Sequence, residues 1–581
     1  MRGFYYFHLL YTVVCGIMKY VCKSDKESRR NQYVSIVEGY RDKDKVKHRT
    51  IKSLGKLKDL EVGNPNYLAE LKENVKAGKF QPESETLLLT LDLSKKISDP
   101  LQNYGWLLID EIYRSLGISK VLRAHQKKMK SKIDFNESLR LLTAQRILDP
   151  QSKWKSVQSQ RDLFGDFNLS PQDVYRSLDH FSLLSEQIQL QMHNAIKENV
   201  GRTGALVFYD VTNYYFETDL DDEPLEVDGE TIPAFRKRGP SKEKRPNPIV
   251  QMGLFMDTNG IPIAFRLFPG NCVDVKTYLP AVEQIKKQFG IERIVVVADK
   301  GMNSRNNITE TLQNKDGYLF SQKVRGTRGA PKDIQNFALD PEGWIANEQE
   351  TFAKKSMMRK RTLNGKESTE KILITWNQKY DFREKIRRKK SVEYAEKLTA
   401  GERFRLTMKK GGKRYLDVES IDEETGEIKR LTPHISIDEE QIAFDEQFDG
   451  INVLITSETE MSDDDMLASY RSLSRIEDCF RVMKTTFDAR PIYVWTQPHI
   501  EAHFLICFIA LTVMRLLEHK LNRQFSPEKI QRALLSAQCR PLEKGYWEVF
   551  GNDDFLKING LLDKKWIHQY IPLEVLRTYG K

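Results

Sequence analysis

A mixed α/β core, interrupted by a mostly β insertion and preceded by a helical region, is the fold class this sequence predicts. Three observations carry the prediction. Between residues 204 and 326, apolar runs rich in β-formers succeed one another: ALVFYD, IVQMGLFMD, IPIAFRLFPGN, RIVVVADKG and YLFSQK. A helical stretch, KTYLPAVEQIKKQFG, separates IPIAFRLFPGN from RIVVVADKG, an order that gives a mixed sheet. Residues 327 to 450 then turn highly charged and break into short strands between Gly and Asp turns, until GINVLIT resumes the strand texture and helical periodicity takes over from about 463.

The elements follow in order. At 581 residues the chain is too long for one ordinary domain, and roughly two to four are expected. Residues 1–17 are apolar, too short for a span and without a small-residue cleavage site; with Met18 behind them, they read as a possible start-site extension. Residues 18–100 hold a basic hairpin, QYVSIVEGYRDKDKVKHRTIKSL, turning at DKDK. Residues 101–203 carry helical periodicity, with Ser170, Pro171 and Asp173 placed as cap, first-turn proline and capping-box acid. Such a run is either a helix-turn-helix-like DNA-binding region or a plain bundle. Residues 204–326 form the first part of the core, where Asp257–Gly260 turns a hairpin. The insertion occupies 327–450, and 451–522 complete the core. There HFLICFIALTVMRLLEHK (503–520), broken by Arg515, reads as a buried core helix and not a membrane span. A helical region is expected over 523–581.

Composition narrows the class. The excess of 92 basic over 82 acidic residues, +10 in all, is compatible with a polyanionic partner. Six cysteines lie scattered without a CxxC pair, which argues against a disulfide framework or zinc knuckle and suits a reducing cytoplasm. No GxxxxGK[ST] loop or serine nucleophile elbow occurs, so ATP use and acyl-transfer chemistry are not expected. His499 and His503 are spaced i,i+4, but Glu501 is misplaced for HExxH, and no zinc site is expected.

Two apolar strands end alike, LVFYD at Asp210 and IVVVAD at Asp299. An acid at a strand tip is a helix cap, a turn former or a metal ligand. Two acids at neighbouring tips repel, and both stay ionised only beside a cation. Hard divalent ions take carboxylate oxygens, and a pair of them activates water and stabilises a leaving phosphodiester oxygen. In LASYRSLSRIEDCFRVMKTTFDARPIY, helical spacing aligns Tyr470, Leu473, Glu477, Phe480 and Lys484 on one face. A face mixing an aromatic, an acid and a lysine is unusual for a core stripe.

Asp210, Asp299 and this Glu477 helix resemble the DDE transposases of bacterial insertion sequences. Within them the pattern resembles the insertion-sequence-four superfamily, whose signature Y-x2-R-x3-E-x6-K is met by Tyr470, Glu477 and Lys484. Leu473 occupies the arginine slot, and Arg481, one turn beyond Glu477, is expected to supply the charge. The resemblance implies an RNase H-like core binding two Mg²⁺ or Mn²⁺ ions on Asp210, Asp299 and Glu477. It implies cleavage at the ends of an insertion sequence and strand transfer into target DNA, with Tyr470 and Lys484 holding phosphates. It further implies a homodimer bridging two double-stranded DNA ends, in a bacterial, nucleoid-associated setting with no membrane role. The alternatives are a transposon-derived DNA-binding protein with dead chemistry, and a metal-dependent nuclease without strand transfer.

The loop FRKRGPSKEKRPNP (235–248), with Arg236, Lys237, Arg238, Lys242 and Arg245, is expected to contact the DNA backbone. REKIRRKK (383–390) either tracks DNA or is an exposed helix face. Trp344 and Trp376 read as core residues or as stacking partners for a flipped base.

Overall fold

The core sheet is built from strands that are apolar on both faces, because both faces are covered. The computed structural model describes residues 100–581 except 203–205, 228–229, 233, 244, 327–329, 400–415, 421–432, 543–544, 565–567 and 581, and before them residues 13–14, 17–25, 32–42, 45–57 and 66–76. The chain divides into two units, Met1–Lys96 and Ile97–Lys581.

In the first unit, strands β1 (Val13–Val14), β2 (Ile17–Asp25), β3 (Gln32–Asp42) and β4 (Lys45–Lys56) form one sheet in sequence order. β3 and β4 make an antiparallel hairpin that closes at Asp42 opposite Lys45. Helix α1 (Tyr67–Lys76) brings Leu71 and Val75 into a small core with Val34 and Leu57. The start-site extension expected at 1–17 lies outside the described residues apart from Val13, Val14 and Ile17.

The second unit opens with helices α2 (Trp106–Ser115), α3 (Ile118–Met129), α4 (Phe135–Leu148), α5 (Lys153–Gln158), α6 (Pro171–Leu183) and α7 (Ser185–Val200). Ser170 caps α6, accepting the Asp173 N–H at 3.1 Å and donating to its carboxylate at 2.8 Å. The sheet follows: β5 (Leu206–Tyr215), β6 (Ile249–Met256), β7 (Pro262–Pro269), then α8 (Asp274–Phe289), β8 (Val295–Ala298), α9 (Arg305–Gln313) and β9 (Gly317–Gln322). Asp257 to Gly260 turns the β6–β7 hairpin: Gly260, at φ 74°, donates to the Asp257 carbonyl, and the Asp257 carboxylate accepts the Ile261 N–H at 2.9 Å.

After helix α10 (Lys332–Leu339) come β10 (Ile345–Ala346), β11 (Phe352–Leu363), β12 (Lys366–Asn377), helix α11 (Gln378–Thr399) and β13 (Ile451–Thr456). The nine strands lie in the order β7-β6-β5-β8-β9-β13-β12-β11-β10. The expected separate β insertion is therefore corrected: its strands β10 to β12 extend the core sheet through β12 pairing with β13, and with α10 and α11 its described residues are as helical as they are β. Ile372, Leu373 and Ile374 of β12 are fully buried, which is why this hairpin joins the core despite the charged residues around it.

Alternation along β5 sends Val207, Tyr209 and Val211 to one face and Phe208 and Tyr214 to the other. The first face packs on α8 and α9 through Tyr278, Ile285 and Ile308. The second packs on α14 (Gln497–Lys520), around which α2, α4 and α6 gather. This helix is long and apolar enough to cross a membrane by length and composition, yet 94% of its apolar window is buried within the protein. The C-terminal segment, expected to be helical, also carries strands Gln538–Pro541, Tyr546–Phe550 and Tyr570–Pro572, which form a four-stranded sheet with Gln102–Asn103. Strands of three to five residues are too short to show a period against helical neighbours.

One ion pair ties the β6–β7 turn to the end of α7. Arg202 bonds Asp257 at 2.8 Å and the Pro262 carbonyl at 2.8 Å, with both charged side chains out of solvent. Asp257→Ala leaves the guanidinium buried and unpaired, and is expected to lower unfolding free energy by about 3–5 kcal/mol in urea denaturation. A loss below about 1 kcal/mol would contradict this role.

Candidate active site

The sheet brings the first two acids together by register. β8 runs parallel to β5 with Val295 opposite Leu206, Val296 opposite Val207 and Val297 opposite Phe208. Two further residues along each strand put Asp299 across from Asp210, on backbones roughly 4.8 Å apart. The sequence places Asp210 at a strand end; β5 instead continues to Tyr215, paired with β6 from Asp210–Leu254 to Tyr215–Ile249. Val211, Thr212, Tyr214 and Tyr215 are β-formers and sustain the strand. Asp210 therefore marks the point where β8 stops, at Ala298, and one edge of β5 becomes open. Asp299 opens a turn, accepting the Lys300 N–H at 2.6 Å on its side chain and the Met302 N–H on its carbonyl.

The third acid arrives on helices that the sequence reads as one. α12 (Asp463–Ser472) and α13 (Ser474–Arg481) meet at Leu473, and a π turn, Val482–Thr486, follows. The Tyr470 hydroxyl donates to Asp299 at 3.4 Å, and Lys484 donates to the Thr212 hydroxyl, two residues beyond Asp210, at 2.7 Å. The wide π turn, a feature often found at functional sites, sets Lys484 over the open edge of β5. Glu477 is exposed beside them. Its neighbour Asp478 is anchored: burial pushes that acid up, but Arg481 and the buried Arg515 of α14 outweigh burial and hold its pKa below the usual carboxylate range.

Electrostatics join these groups. Asp210 keeps some surface exposure but is densely surrounded, and burial raises its pKa to about 6. Lys242 and the Val211 N–H oppose that rise, while the negative charges of Asp299 and Glu477 add to it. Lys484 is lowered to about 8 by burial and by Lys242, with Asp210 acting the other way. Burial pushes the Tyr470 hydroxyl up to about 12. Among the described residues, no three His, Cys, Asp or Glu side chains stand close enough to hold a metal ion in common. The three acids share one edge without closing into a cage. The donor set is nonetheless all carboxylate, and a raised Asp210 is what a cation would relieve, so its chemistry fits a hard divalent ion.

The remaining candidates divide. Lys242 sits at the site, donating to the Val211 carbonyl at 2.5 Å and standing 3.9 Å from Asp274. Arg236 is corrected: it is buried, paired with Asp222 and laid over the rings of Trp495 and Phe216, so it is not a free DNA contact. Lys237 pairs through its backbone with Ile249. Arg238 and Arg245 are exposed; Arg238 bonds the Asp219 carbonyl at 2.6 Å, and Arg245 covers Tyr215. Arg481 does not supply the charge missing at Leu473: it turns to Asp478 at 2.8 Å and Glu528 at 2.5 Å. Both ring nitrogens of His503 are engaged, by Lys153 at 2.9 Å and the Ala489 carbonyl at 3.1 Å. Sequence reasoning missed Glu243 and Arg490, which pair beside Lys484. Only the fold brings residue 490 back to the loop at 243.

The raised Asp210 has a pH signature. Because its folded pKa lies above the ordinary 3.8, its contribution to stability is present below about pH 4 and lost as pH rises through about 6. In chelator, Asp210→Asn is expected to exceed the parent in stability at pH 8, by up to about 3 kcal/mol. The gap should close towards pH 4. A variant less stable than the parent at pH 8 would contradict the assignment.

Residues 19–85 match the N-terminal domain of IS1634 family transposases, and residues 219–513 match the transposase DDE domain. The second match contains Asp299 and Glu477 and begins just after Asp210. The first overturns the expected membership of the insertion-sequence-four superfamily, in keeping with Leu473 in the arginine slot of that signature and Arg481 facing elsewhere. No curated protein matches the chain. A solved structure, Mos1 transposase in a paired-end complex with left transposon end, is similar at 11% identity over 44% of this chain and 65% of that one. Its TM-score of 0.14 is too low to support structural equivalence. Matched over slightly more than half its length, the chain belongs to the DDE transposase family, with an N-terminal domain of the IS1634 type.

Proposed function

We propose that this protein binds the terminal repeats of its own insertion sequence and carries out divalent-metal-dependent strand cleavage and strand transfer on DNA. The observation that carries the reading is the parallel register that sets Asp299 across from Asp210, with Glu477 close enough for its charge to act on Asp210. The strand order β7-β6-β5-β8-β9, with β6 antiparallel to both its neighbours β5 and β7, and β8 and β9 parallel to β5, supports an RNase H-like core.

Asp210, Asp299 and Glu477 are the residues that would hold two Mg²⁺ or Mn²⁺ ions. Such ions, when bound, activate water and stabilise the leaving oxygen of a phosphodiester. The chain's own groups do the rest. Tyr470 orients Asp299 through its hydroxyl. Lys484 is held over Thr212, where an ammonium meets a phosphate beside the acids. Lys242, Arg238 and Arg245 present positive charge from the 235–248 loop to the DNA backbone. End recognition is assigned to the basic first unit and the 101–203 helices, and pairing of two ends to a homodimer.

A cleavage and strand-transfer assay on DNA carrying the element's ends tests this reading. Asp210→Ala, Asp299→Ala and Glu477→Ala are each expected to reduce cleavage by on the order of a thousandfold while leaving binding intact. Lys484→Ala should lose roughly a hundredfold. Arg481→Ala, whose partners are Asp478 and Glu528, should stay within about fivefold of the parent. Full cleavage by any one of the three acid variants would sink the assignment.

A further inference from the structure

Beyond the π turn the chain doubles back along the far end of β5. Ile492 bridges Phe216, and its N–H donates to the Tyr215 carbonyl at 3.0 Å. Exposure then alternates: Ile492 and Val494 are 1% and 7% exposed, Tyr493 and Trp495 are 65% and 53% exposed. That is the signature of an extended segment with its apolar side anchored and its aromatic side turned to solvent. Single exposed aromatics are ordinary. Two on one side of one segment, beside a row of cations, call for a ligand.

The cations are specific. Arg236 lies over the Trp495 ring at 5.1 Å, and Arg245 and Arg490 lie over Tyr215 at 4.2 Å and 5.9 Å. Arg490, Arg245 and Lys484 all turn to one carboxylate, Glu243, the last two at 3.8 Å and 3.9 Å. Three cations on one acid leave surplus positive charge along this strip. It is continuous with the acids: five residues of β5 separate Tyr215 from Asp210, roughly 16 Å at the rise of a strand. A stacked nucleic-acid strand covers that distance in roughly five nucleotides.

We propose that Tyr493 and Trp495 form a stacking platform for unpaired nucleotides of the DNA strand that reaches Asp210. This rests on the DNA-cleaving reading and adds to it where the strand runs. Every base has a π face, so two aromatics grip a strand whatever its sequence, and Arg245, Arg490 and Lys484 hold its phosphates. Of the two roles open to Trp344, core packing fits: its indole N–H bonds the Asp340 carbonyl at 3.1 Å and its ring packs on the core beneath Lys355.

The test uses the full-length protein in chelator, so that nothing is cut. A duplex of the element's terminal sequence is titrated blunt, and again with five unpaired nucleotides whose 2-aminopurine reports stacking. The parent is expected to favour the unpaired form and to quench the probe. Trp495→Ala and Tyr493→Ala should lose that preference by roughly five- to a hundredfold with blunt binding unchanged, while Trp495→Phe retains part of it. Asp210→Ala, defective in cleavage, should keep the preference. Alanine variants that retain the preference, or that weaken blunt and unpaired binding equally, overturn the platform. A parent that cleaves terminal DNA yet ignores unpaired nucleotides overturns the platform alone. One that neither binds nor cleaves overturns both readings.

Discussion

Three residues of parallel pairing, Leu206 to Phe208 against Val295 to Val297, decide where two carboxylates stand. The register is held from both sides of the sheet: Val207 and Val296 are locked into the core under α8 and α9, Phe208 and Val297 into the core over α14. A slip of one residue would exchange those faces and move Asp299 out of line with Asp210. β8 is short and ends one residue before Asp299. The same brevity opens the edge of β5 beyond Asp210, and Lys484 and Tyr470 both approach from that side.

The third acid depends on the core as much as the first two. α14 is apolar because it is surrounded, and the charge it buries, Arg515, is directed at Asp478 and Glu518. Through Asp478 that guanidinium ties down the middle of α13, next to Glu477. Charges crowd at the resulting edge. Burial and like charge push Asp210 up, while Lys242 and Lys484 stand close by as partial counterions. A polyanionic strand with its own divalent ions would meet two ammonium groups and three carboxylates there.

Much of this could be read from the residues, for physical reasons that are specific. The strands around Asp210 and Asp299 are apolar on both faces, so their runs were unmistakable, and the Asp257–Gly260 turn and the Ser170 cap are local chemistry. The buried helix at 503–520 announced itself by Arg515, a charge that needs a protein partner. What escaped depends on long-range pairing. Nothing local tells that β5 runs past Asp210 along β6, or that Ile372 to Ile374 would draw a charged segment into the core sheet. Helical spacing put Arg481 on the face of Glu477, but an exposed arginine follows its nearest carboxylates, Asp478 and Glu528. The family group rested on the spacing of Tyr470, Glu477 and Lys484 alone, whereas residues 19–85 carry the N-terminal domain of the IS1634 type.

On the proposed function, Asp210, Asp299 and Glu477, far apart in sequence, serve one divalent-ion site. Iron-mediated cleavage of the polypeptide tests it most directly: Fe²⁺ with ascorbate cuts backbone near wherever the ion binds. Cuts are expected to cluster around residues 210, 299 and 477 together, to be suppressed by excess Mg²⁺ and to be lost in Asp210→Ala. Cuts confined to one of these positions, or elsewhere in the chain, would contradict it.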